Sequence, residues 1–159
     1  MARADGAWCI YAFADASGKR LRELAAFLTE SPNSPIRRFT PTGADIDSVI
    51  YVRAVFQQGH RDLKVQELPS ILLPRKGCFG LIDYEKAYCP DRPDLSDLRG
   101  GPDIFDLRGI DRAKGAMVVV RPDQYVSNVL PLDAHDELAA FFGQFLIDRH
   151  QGLFAASLN

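Results

Sequence analysis

The sequence predicts one α/β domain in which helices flank a mixed β-sheet, and three patterns point to it. The charge-free apolar run at residues 8–14 is typical of a strand buried on both faces, and an amphipathic helix follows it directly. Near the other end, two β-prone runs joined by a Pro-Asp turn predict an antiparallel hairpin. A second amphipathic helix follows that hairpin. Strand–helix units combined with a hairpin indicate a mixed sheet.

The first third of the chain is predicted to hold a strand, a turn, a helix and a second strand. The turn is Asp15-Ala16-Ser17-Gly18, and apolar residues recur after it at helical spacing, at Leu21, Leu24, Ala25 and Leu28. Residues 29–47 are rich in proline and are predicted to be a connection, with a short edge strand at 36–39. Residues 49–56 are β-branched and aromatic, which predicts a strand with one wholly apolar face.

The middle of the chain shows little periodicity. Residues 89–102 contain three prolines, two arginines, three aspartates and two glycines, so we predict a long polar loop there. A loop of this length is usually functional or needs a neighbour to order it. The aromatic stretch at 78–88 gives no clear assignment. We expect one domain over residues 1–159, with tails at 1–7 and 147–159.

The last third gives the clearest prediction. Residues 116–120 and 125–130 are the strands of the hairpin, and Arg121-Pro122-Asp123-Gln124 is its turn. A helix follows, with apolar residues at i, i+3, i+4, i+7 and i+8: Leu138, Phe141, Phe142, Phe145 and Leu146. Acidic residues stand at its start, where the helix dipole favours carboxylates. The phenylalanines are assigned to the core, with a partner interface as the alternative.

Composition excludes several classes of function. Nineteen basic and 21 acidic residues give a net charge of -2, so no broad positive field attracts nucleic acid or anionic lipid. No apolar run approaches the roughly 20 residues needed to cross a bilayer, and no secretory signal follows the first residues, so we expect a cytoplasmic protein. Three well-separated cysteines argue against both a disulfide framework and a dithiol motif.

The order of elements is that of the thioredoxin-like fold, but the redox residues are missing. Active members carry Cys-x-x-Cys just after the first core strand, where the helix dipole stabilises the thiolate. In this sequence Asp15-Ala16-Ser17-Gly18 holds that place, and Cys9 lies inside the strand. Active members also carry a cis-proline before the third core strand, whereas Lys114-Gly115-Ala116 contains none. We therefore predict a thioredoxin-like domain that performs no thiol chemistry.

A family resemblance covers residues 8–146. The stretch Val118-Val119-Val120-Arg121-Pro122-Asp123-Gln124-Tyr125-Val126, followed by Leu130-Pro131-Leu132-Asp133, resembles the end of class A flavoprotein aromatic hydroxylases. Within that group it is most similar to the phenol 2-monooxygenase and 3-hydroxybenzoate 4-monooxygenase type. Residues 11–15, 83–86 and 105–111 also fit the group. The Arg-Pro-Asp-x-Tyr-Val turn is the most specific part.

This resemblance implies an accessory role. In those enzymes the module is a C-terminal thioredoxin-like domain implicated in subunit association, while FAD and the phenol bind in preceding domains. The sequence has no Gly-x-Gly-x-x-Gly run to seat a FAD pyrophosphate, so we expect no cofactor on this chain. The expected partner is a second copy or a flavin-dependent hydroxylase core. Either an excised part of a hydroxylase or a stand-alone product fits these features.

The residues with candidate ligand or interface roles are Asp15, Arg121, Asp123 and Tyr125. Arg121 and Asp123 are candidates because the family pattern retains them at a hairpin tip; the alternative is a local ion pair and a turn cap. Asp15 is either a ligand residue or a cap of the following helix. A second candidate function is a small-aromatic-ligand binder or enzyme that uses a groove between Asp15 and the Arg121–Asp123 tip. A third is a residual thiol oxidoreductase.

The remaining reactive side chains give weaker hypotheses. His60, His135 and His150 are far apart in sequence, which argues against a metal site and predicts solvated histidines. Cys78 and Cys89 flank an aromatic stretch, so a regulatory disulfide between them is one alternative to two ordinary free thiols. We extract no catalytic triad, carboxylate pair or phosphate loop.

Overall fold

The computed structural model describes residues 6–90 and 103–148 of the 159-residue chain. Most of the predicted loop at 89–102, most of the predicted tails at 1–7 and 147–159, and His150 lie outside the described residues. The strands of the main sheet are β1 (Trp8–Phe13), β2 (Ile50–Val55), β5 (Ala87–Tyr88), β6 (Ala116–Val120) and β7 (Val126–Leu130). Two shorter strands, β3 (Arg75–Lys76) and β4 (Leu81–Ile82), form a separate hairpin.

The main sheet is mixed, with the order β5-β2-β1-β6-β7. β1 is central: it runs parallel to β2 and antiparallel to β6. β5 is parallel to β2 at one edge, and β7 is antiparallel to β6 at the other. The predicted central strand, second strand and C-terminal hairpin are all present. The predicted fold class, α/β with a mixed sheet, is confirmed.

Helices lie on both faces of this sheet. They are α1 (Lys19–Glu30), α2 (Pro35–Phe39), α3 (Ile104–Arg108) and α4 (His135–Gly143), with 3-10 turns at Val65–Glu67 and Ser70–Leu72. α1, α2 and α4 cover one face and bury most of the core with it: Ile10, Leu24, Leu28, Ile36, Val119, Leu138 and Phe142. α3 lies on the other face, where Phe105 packs edge-on against Phe13 at 5.5 Å. None of the helices in the described segments is long and apolar enough to cross a membrane.

The predicted edge strand at 36–39 is wrong, because this segment is the helix α2. Ser34 precedes it and accepts a hydrogen bond from the Arg37 backbone N–H at 3.5 Å, which caps the helix. Pro35 occupies the first turn, where its missing N–H costs nothing and its fixed φ suits a helix. Ile36 and Phe39 then point into the core. The proline that suggested an interruption is a helix start.

The C-terminal hairpin closes through a tight turn that includes one left-handed residue. The Gln124 N–H donates to the Arg121 carbonyl at 2.9 Å, and the Arg121 N–H donates to the Tyr125 carbonyl at 2.9 Å. Gln124 has φ of 72°, which gives the three-residue loop the twist that the strands require. An irregular register between Val119 and Val120 then places Val126 opposite Val120.

The terminal helix is shorter than predicted, and its histidine, His135, is less exposed than predicted. α4 ends at Gly143, so Phe145 lies just beyond it. The prediction that His135 is solvated is wrong in part, because its ring stacks on Phe27 at 4.7 Å with an interplanar angle of 7°. Its Nε2 is buried, and no hydrogen-bond partner for it lies among the described residues. The contact joins the start of α4 to α1.

A charged network fixes the β3–β4 hairpin to the edge of the main sheet. Lys86, whose side chain is 6% exposed, lies 2.8 Å from the Asp47 carboxylate and 3.5 Å from that of Asp83. Lys76 of β3 lies 2.9 Å and 3.2 Å from the same two groups. The Lys86 ammonium also lies over the Tyr51 ring at 4.6 Å. Two ammonium groups thus neutralise two carboxylates at the end of the connection before β5.

Candidate interface

The Asp15 side chain holds the start of α1. It is 4% exposed, and its oxygens accept from the backbone N–H groups of Lys19 at 3.1 Å and Leu21 at 3.2 Å. The Ser17 hydroxyl donates to the same carboxylate. Burial raises the pKa of Asp15, but these hydrogen bonds outweigh it and the pKa is lowered. Asp15 therefore accepts from free N–H groups of α1 as the capping interpretation predicts, although the N-cap position itself is Gly18. A role of Asp15 in ligand binding stays a prediction.

Backbone packs tightly beside this turn, at Gly115 in the segment that precedes β6. Gly115 has φ of 67°, and a Cβ added there would lie 2.3 Å from the Phe13 carbonyl oxygen and 2.9 Å from the Asp15 nitrogen. The Gln57 amide donates to the carbonyls of Ala14 at 2.8 Å and Arg112 at 2.7 Å. The end of β1 is therefore tied directly to the segment that precedes β6.

The predicted groove between Asp15 and the Arg121–Asp123 tip is wrong. β1 and β6 are antiparallel, with Phe13 opposite Ala116 and Cys9 opposite Val120. Asp15 follows the carboxyl end of β1, whereas Arg121 lies beyond its amino end. At about 3.3 Å per strand residue the two are roughly 20 Å apart along the sheet. A single small ligand does not bridge them.

The hairpin tip itself forms a local ion pair. Arg121 Nη2 lies 2.7 Å from Asp123 Oδ2, and the Tyr125 N–H points to Asp123 Oδ1 at 3.4 Å. The local interpretation of these two charged residues is confirmed. The Tyr125 side chain stands apart from this pair and is 73% exposed. A role of the Tyr125 side chain in an interface stays a prediction.

An aromatic cluster lies at the same end of the sheet as the hairpin tip. Trp8 stacks on Phe145 at 4.9 Å and meets Phe142 edge-on at 5.5 Å. Phe142 is fully buried, whereas Phe145 is 44% and Ile147 is 82% exposed. Trp8 precedes Cys9, which pairs with Val120 just before the tip, so the two features share one end of the sheet. The phenylalanines of the terminal segment therefore divide between core and surface.

The sheet face opposite α1 carries an exposed apolar surface, which we call the open sheet face. It consists of Tyr11, Val118, Val120, Val126 and Val129. Tyr11 pairs with Val118, Val118 with Val129, and Val120 with Val126, so the five side chains are neighbours. Val126 is 61% and Val129 is 60% exposed. α3 meets this face at the far end of β1, where Phe105 packs against Phe13.

Sequence reasoning missed this surface, although one signal was available. The five apolar residues of β6 alternate between the two faces of the sheet, so both faces are apolar. The two exposed valines of β7 continue the second of these faces. The candidate interface residues predicted from the sequence lie at the hairpin tip and do not include the strands β6 and β7 behind it.

Comparison with known proteins supports a protein–protein interface as the functional feature of this chain. The family described as phenol hydroxylase, C-terminal dimerisation domain, matches residues 1–150. This chain belongs to that family. The resemblance stated from the Arg-Pro-Asp-x-Tyr-Val turn is confirmed. Because the matched part is a dimerisation domain, it is not a catalytic FAD-binding domain.

Two relatives show how much of a longer protein this dimerisation domain represents. A 3-hydroxybenzoate 4-monooxygenase of Comamonas testosteroni is 49% identical over 149 residues, which cover 91% of this chain and 22% of the relative. A FAD-dependent monooxygenase of Aspergillus terreus is 34% identical over 160 residues, which cover 98% of this chain and 25% of the relative. The chain thus spans a quarter or less of these proteins.

Solved structures with similar outlines have low identity. The thioredoxin domain of a thiol-disulfide oxidoreductase from Bacteroides vulgatus aligns with 91% of this chain and 82% of its own, at 11% identity and a TM-score of 0.49. A thioredoxin-like protein from Parabacteroides distasonis aligns with 87% of this chain and 83% of its own, at 13% identity and a TM-score of 0.40.

The Cys9 thiol of the dimerisation domain is buried on the same sheet face as Tyr11 and Val120, which pack against it. Burial raises its pKa to about 11, against smaller opposing effects of Tyr51 and Arg53. Cys78 is exposed and Cys89 is half-buried, and all three are free thiols. Burial also raises the pKa of Cys89. None of these settings resembles the electropositive helix terminus that activates a redox cysteine.

Thiol labelling tests this difference in reactivity. At pH 8 a thiol of pKa near 11 is ionised to only about one part in a thousand, so Cys9 is expected to react with iodoacetamide at least about 100-fold more slowly than Cys78. Mass spectrometry of native and urea-unfolded protein measures the rates, and the unfolded chain should label at all three sites. Equal native rates at Cys9 and Cys78 would contradict the buried position of Cys9.

Proposed function

We propose that this chain is a non-catalytic module that joins two copies of itself and thereby two copies of a FAD-dependent aromatic monooxygenase. The observation that carries the proposal is the match of residues 1–150 to a dimerisation domain. The relatives are described as a hydroxybenzoate monooxygenase and a FAD-dependent monooxygenase, which supports a role in the metabolism of aromatic compounds. The proposal holds for a part of such an enzyme and for a stand-alone homologue.

The open sheet face is the surface that suits self-association. A two-fold interface brings the same patch of each subunit together, so the patch must be complementary to itself. Two sheet faces satisfy this condition, because their side chains interdigitate at about 10 Å spacing. None of the five residues of the open sheet face is charged. Apolar surface of this kind is stabilised when it leaves water.

Polar groups border the open sheet face and fit the rim of an interface. Arg53, in register with Tyr11, donates to the Tyr11 hydroxyl at 3.3 Å. At the other border stand Arg121, Asp123 and the exposed ring of Tyr125. Interfaces combine an apolar centre with a polar rim, and tyrosine and arginine are enriched in them. We therefore retain the hairpin tip as part of the interface, at its edge.

A charge in the centre of the open sheet face tests the proposal. Val129→Asp would place two carboxylates in a symmetric apolar contact, and we expect the dimer dissociation constant to rise at least about 100-fold. Size-exclusion chromatography with light scattering measures the mass, which should fall from twice 17.7 kDa to 17.7 kDa. Because Val129 is 60% exposed, the melting temperature of the monomer should change little.

The matched control is Phe79→Asp, an apolar-to-acidic change at a side chain that is 86% exposed in the separate β3–β4 hairpin. It is expected to leave the dimer mass unchanged. A monomeric wild-type chain at all concentrations, or a Val129→Asp variant that dimerises normally, would contradict the proposal.

The number of domains and the cellular location belong to the same proposal. We place residues 1–159 in one domain, supported by a main core cluster that joins strands β1, β2 and β6 to helices α1 and α4. We place the protein in the cytoplasm, supported by its three free cysteines.

A further inference from the structure

A second apolar surface lies on the β3–β4 hairpin. Its tip is Gly77-Cys78-Phe79-Gly80, and both glycines have left-handed φ, of 66° and 59°, which produce the tight reversal. Phe79 at the tip is 86% exposed and Leu81 is 68% exposed. A phenylalanine this exposed at the end of a protruding ribbon is poorly explained by the stability of the domain itself.

The hairpin is held in a fixed position. The Gly77 N–H donates to the Asp45 carboxylate at 3.2 Å, and Arg75 Nη1 donates to the Gly80 carbonyl at 3.1 Å. At the base, the Asp83 N–H donates to the Pro74 carbonyl at 2.9 Å. The Lys76 ammonium lies between the Asp47 and Asp83 carboxylates. Phe79 is therefore presented on a preorganised loop, which lowers the entropy cost of binding.

A crevice lies beside the base of the hairpin. Leu73 and Tyr84, the residues next to the paired Pro74 and Asp83, line a concavity of about 480 Å³ together with Val65 and Tyr88. Tyr84 is 62%, Val65 is 42% and Tyr88 is 41% exposed. The exposed Phe79 ring and this apolar depression thus belong to the tip and the base of the same hairpin. Such a pair of knob and hollow is typical of a protein contact with an aromatic anchor.

The two surfaces are centred on opposite edges of the main sheet. The crevice includes Ala87 and Tyr88 of β5, at one edge, whereas Val126 and Val129 belong to β7 at the other edge. Four strand spacings of about 4.8 Å separate these edges, roughly 19 Å. The surfaces approach each other at Arg53, which borders the open sheet face and lies over the Tyr88 ring at 5.8 Å. Phe79 belongs to the separate β3–β4 hairpin and is not part of the open sheet face.

We propose that the Phe79 hairpin and the adjoining crevice dock the domain onto the part of the monooxygenase chain that precedes it. The relatives extend well beyond this domain, since the matched region is 22% and 25% of their length. The family is defined as a C-terminal domain, so the remaining chain lies before it. The complementary surface is an apolar pocket that accepts one aromatic ring. This inference rests on the proposed function, because it treats the domain as a module of such an enzyme.

A chimera tests the proposal. The C-terminal region of the intact Comamonas testosteroni enzyme is replaced by residues 1–150 of this chain, with or without Phe79→Asp. The unsubstituted chimera is expected to unfold in one calorimetric transition, because the two parts stabilise each other. With Phe79→Asp the C-terminal domain should melt separately, about 5 °C lower or more, since an aromatic anchor is lost. The dimer mass should be unchanged.

Two further measurements separate this proposal from the proposed function. The chimera with Val129→Asp should lose the dimer and keep the single transition, the reverse of the Phe79→Asp pattern. In the intact Comamonas enzyme, the peptide that aligns with residues 75–82 should be protected from carbene labelling relative to the same hairpin in the isolated chain. Full labelling of that peptide, or identical transitions with and without Phe79→Asp, would overturn the proposal whether or not dimerisation holds. Loss of the dimer with Phe79→Asp would instead identify a second copy as the occupant.

Discussion

Replacing Asp47 by alanine is expected to lower the free energy of unfolding by about 3 kcal/mol, because it leaves a buried ammonium group without its nearest partner. The group is Lys86, whose side chain is 6% exposed and lies 2.8 Å from Asp47. The more distant Asp83, at 3.5 Å, remains as a partner and limits the loss. Urea denaturation followed by circular dichroism measures the effect.

The pH dependence of stability follows from the same pair. Burial raises the pKa of Asp47, but the ammonium groups of Lys86 and Lys76 outweigh it, so its pKa lies below the ordinary 3.8. A carboxyl whose pKa is lower in the folded state stabilises the fold above about pH 4, and this stabilisation is lost as the pH falls toward the lowered value. The Asp47→Ala variant should therefore lose less stability between pH 5 and about pH 3 than the wild type.

Glu67→Ala is the matched control, because Glu67 forms an ion pair with Lys64 at a similar distance, 3.0 Å, but with side chains 69% and 71% exposed. Exposed pairs contribute about 0–1 kcal/mol, so this variant should remain close to the wild type. Equal losses for Asp47→Ala and Glu67→Ala would show that burial of the network has no energetic weight.

Gly115→Ala is expected to cost about 3 kcal/mol or more, for two reasons that add. An alanine at φ of 67° carries the left-handed penalty of about 1–2 kcal/mol. Its Cβ would also lie 2.3 Å from the Phe13 carbonyl oxygen and 2.6 Å from a Leu132 methyl group, which forces the backbone apart. The free energy of unfolding in urea measures the sum.

Gly109→Ala separates these two terms. Gly109 has φ of 62°, almost the same conformation, but no atom of the described segments lies within 4 Å of an added Cβ. This variant should lose only the conformational part, about 1 kcal/mol. The difference between the two alanine variants therefore measures the close approach between the end of β1 and the segment before β6. Similar losses at the two positions would exclude that close approach.

The sequence predicted correctly those strands and helices that are determined by residues close together in the chain. The apolar run at 8–14 and the helical spacing of Leu21, Leu24 and Leu28 correspond to β1 and α1, because both are buried in the way their periodicity requires. The Pro-Asp turn predicted the hairpin correctly, because turn formation also depends on a few adjacent residues. The segment at 36–39 failed because Pro35 indicates either a break or a helix start, and the Ser34 cap decides for the helix.

Features that depend on contacts distant in sequence were not predictable. The two-residue strands β3 and β4 are held by Asp45, Asp47 and Lys86, none of which lies within the hairpin. His135 is covered by Phe27 of another helix. The groove hypothesis failed because the sequence does not fix how β1 and β6 are aligned, and their antiparallel register separates Asp15 from Arg121.

The two apolar surfaces are the proposed contact sites of the domain, one for a second copy and one for the preceding part of a monooxygenase chain. The open sheet face extends from the β7 edge to Tyr11 of the central strand β1, and the crevice beside the Phe79 hairpin lies at the β5 edge. The Asp15 carboxylate is occupied by the N–H groups at the start of α1. This distribution agrees with a dimerisation domain that acts through its surfaces.

Carbene footprinting of the isolated chain at high and low concentration tests self-association through the open sheet face most directly. Labelling is read by mass spectrometry on the peptides that contain residues 116–130 and 75–82. The account predicts that residues 116–130 become protected as the concentration rises, while Phe79 and its neighbours are labelled equally at both concentrations. Concentration-dependent protection at 75–82, with none at 116–130, would contradict it.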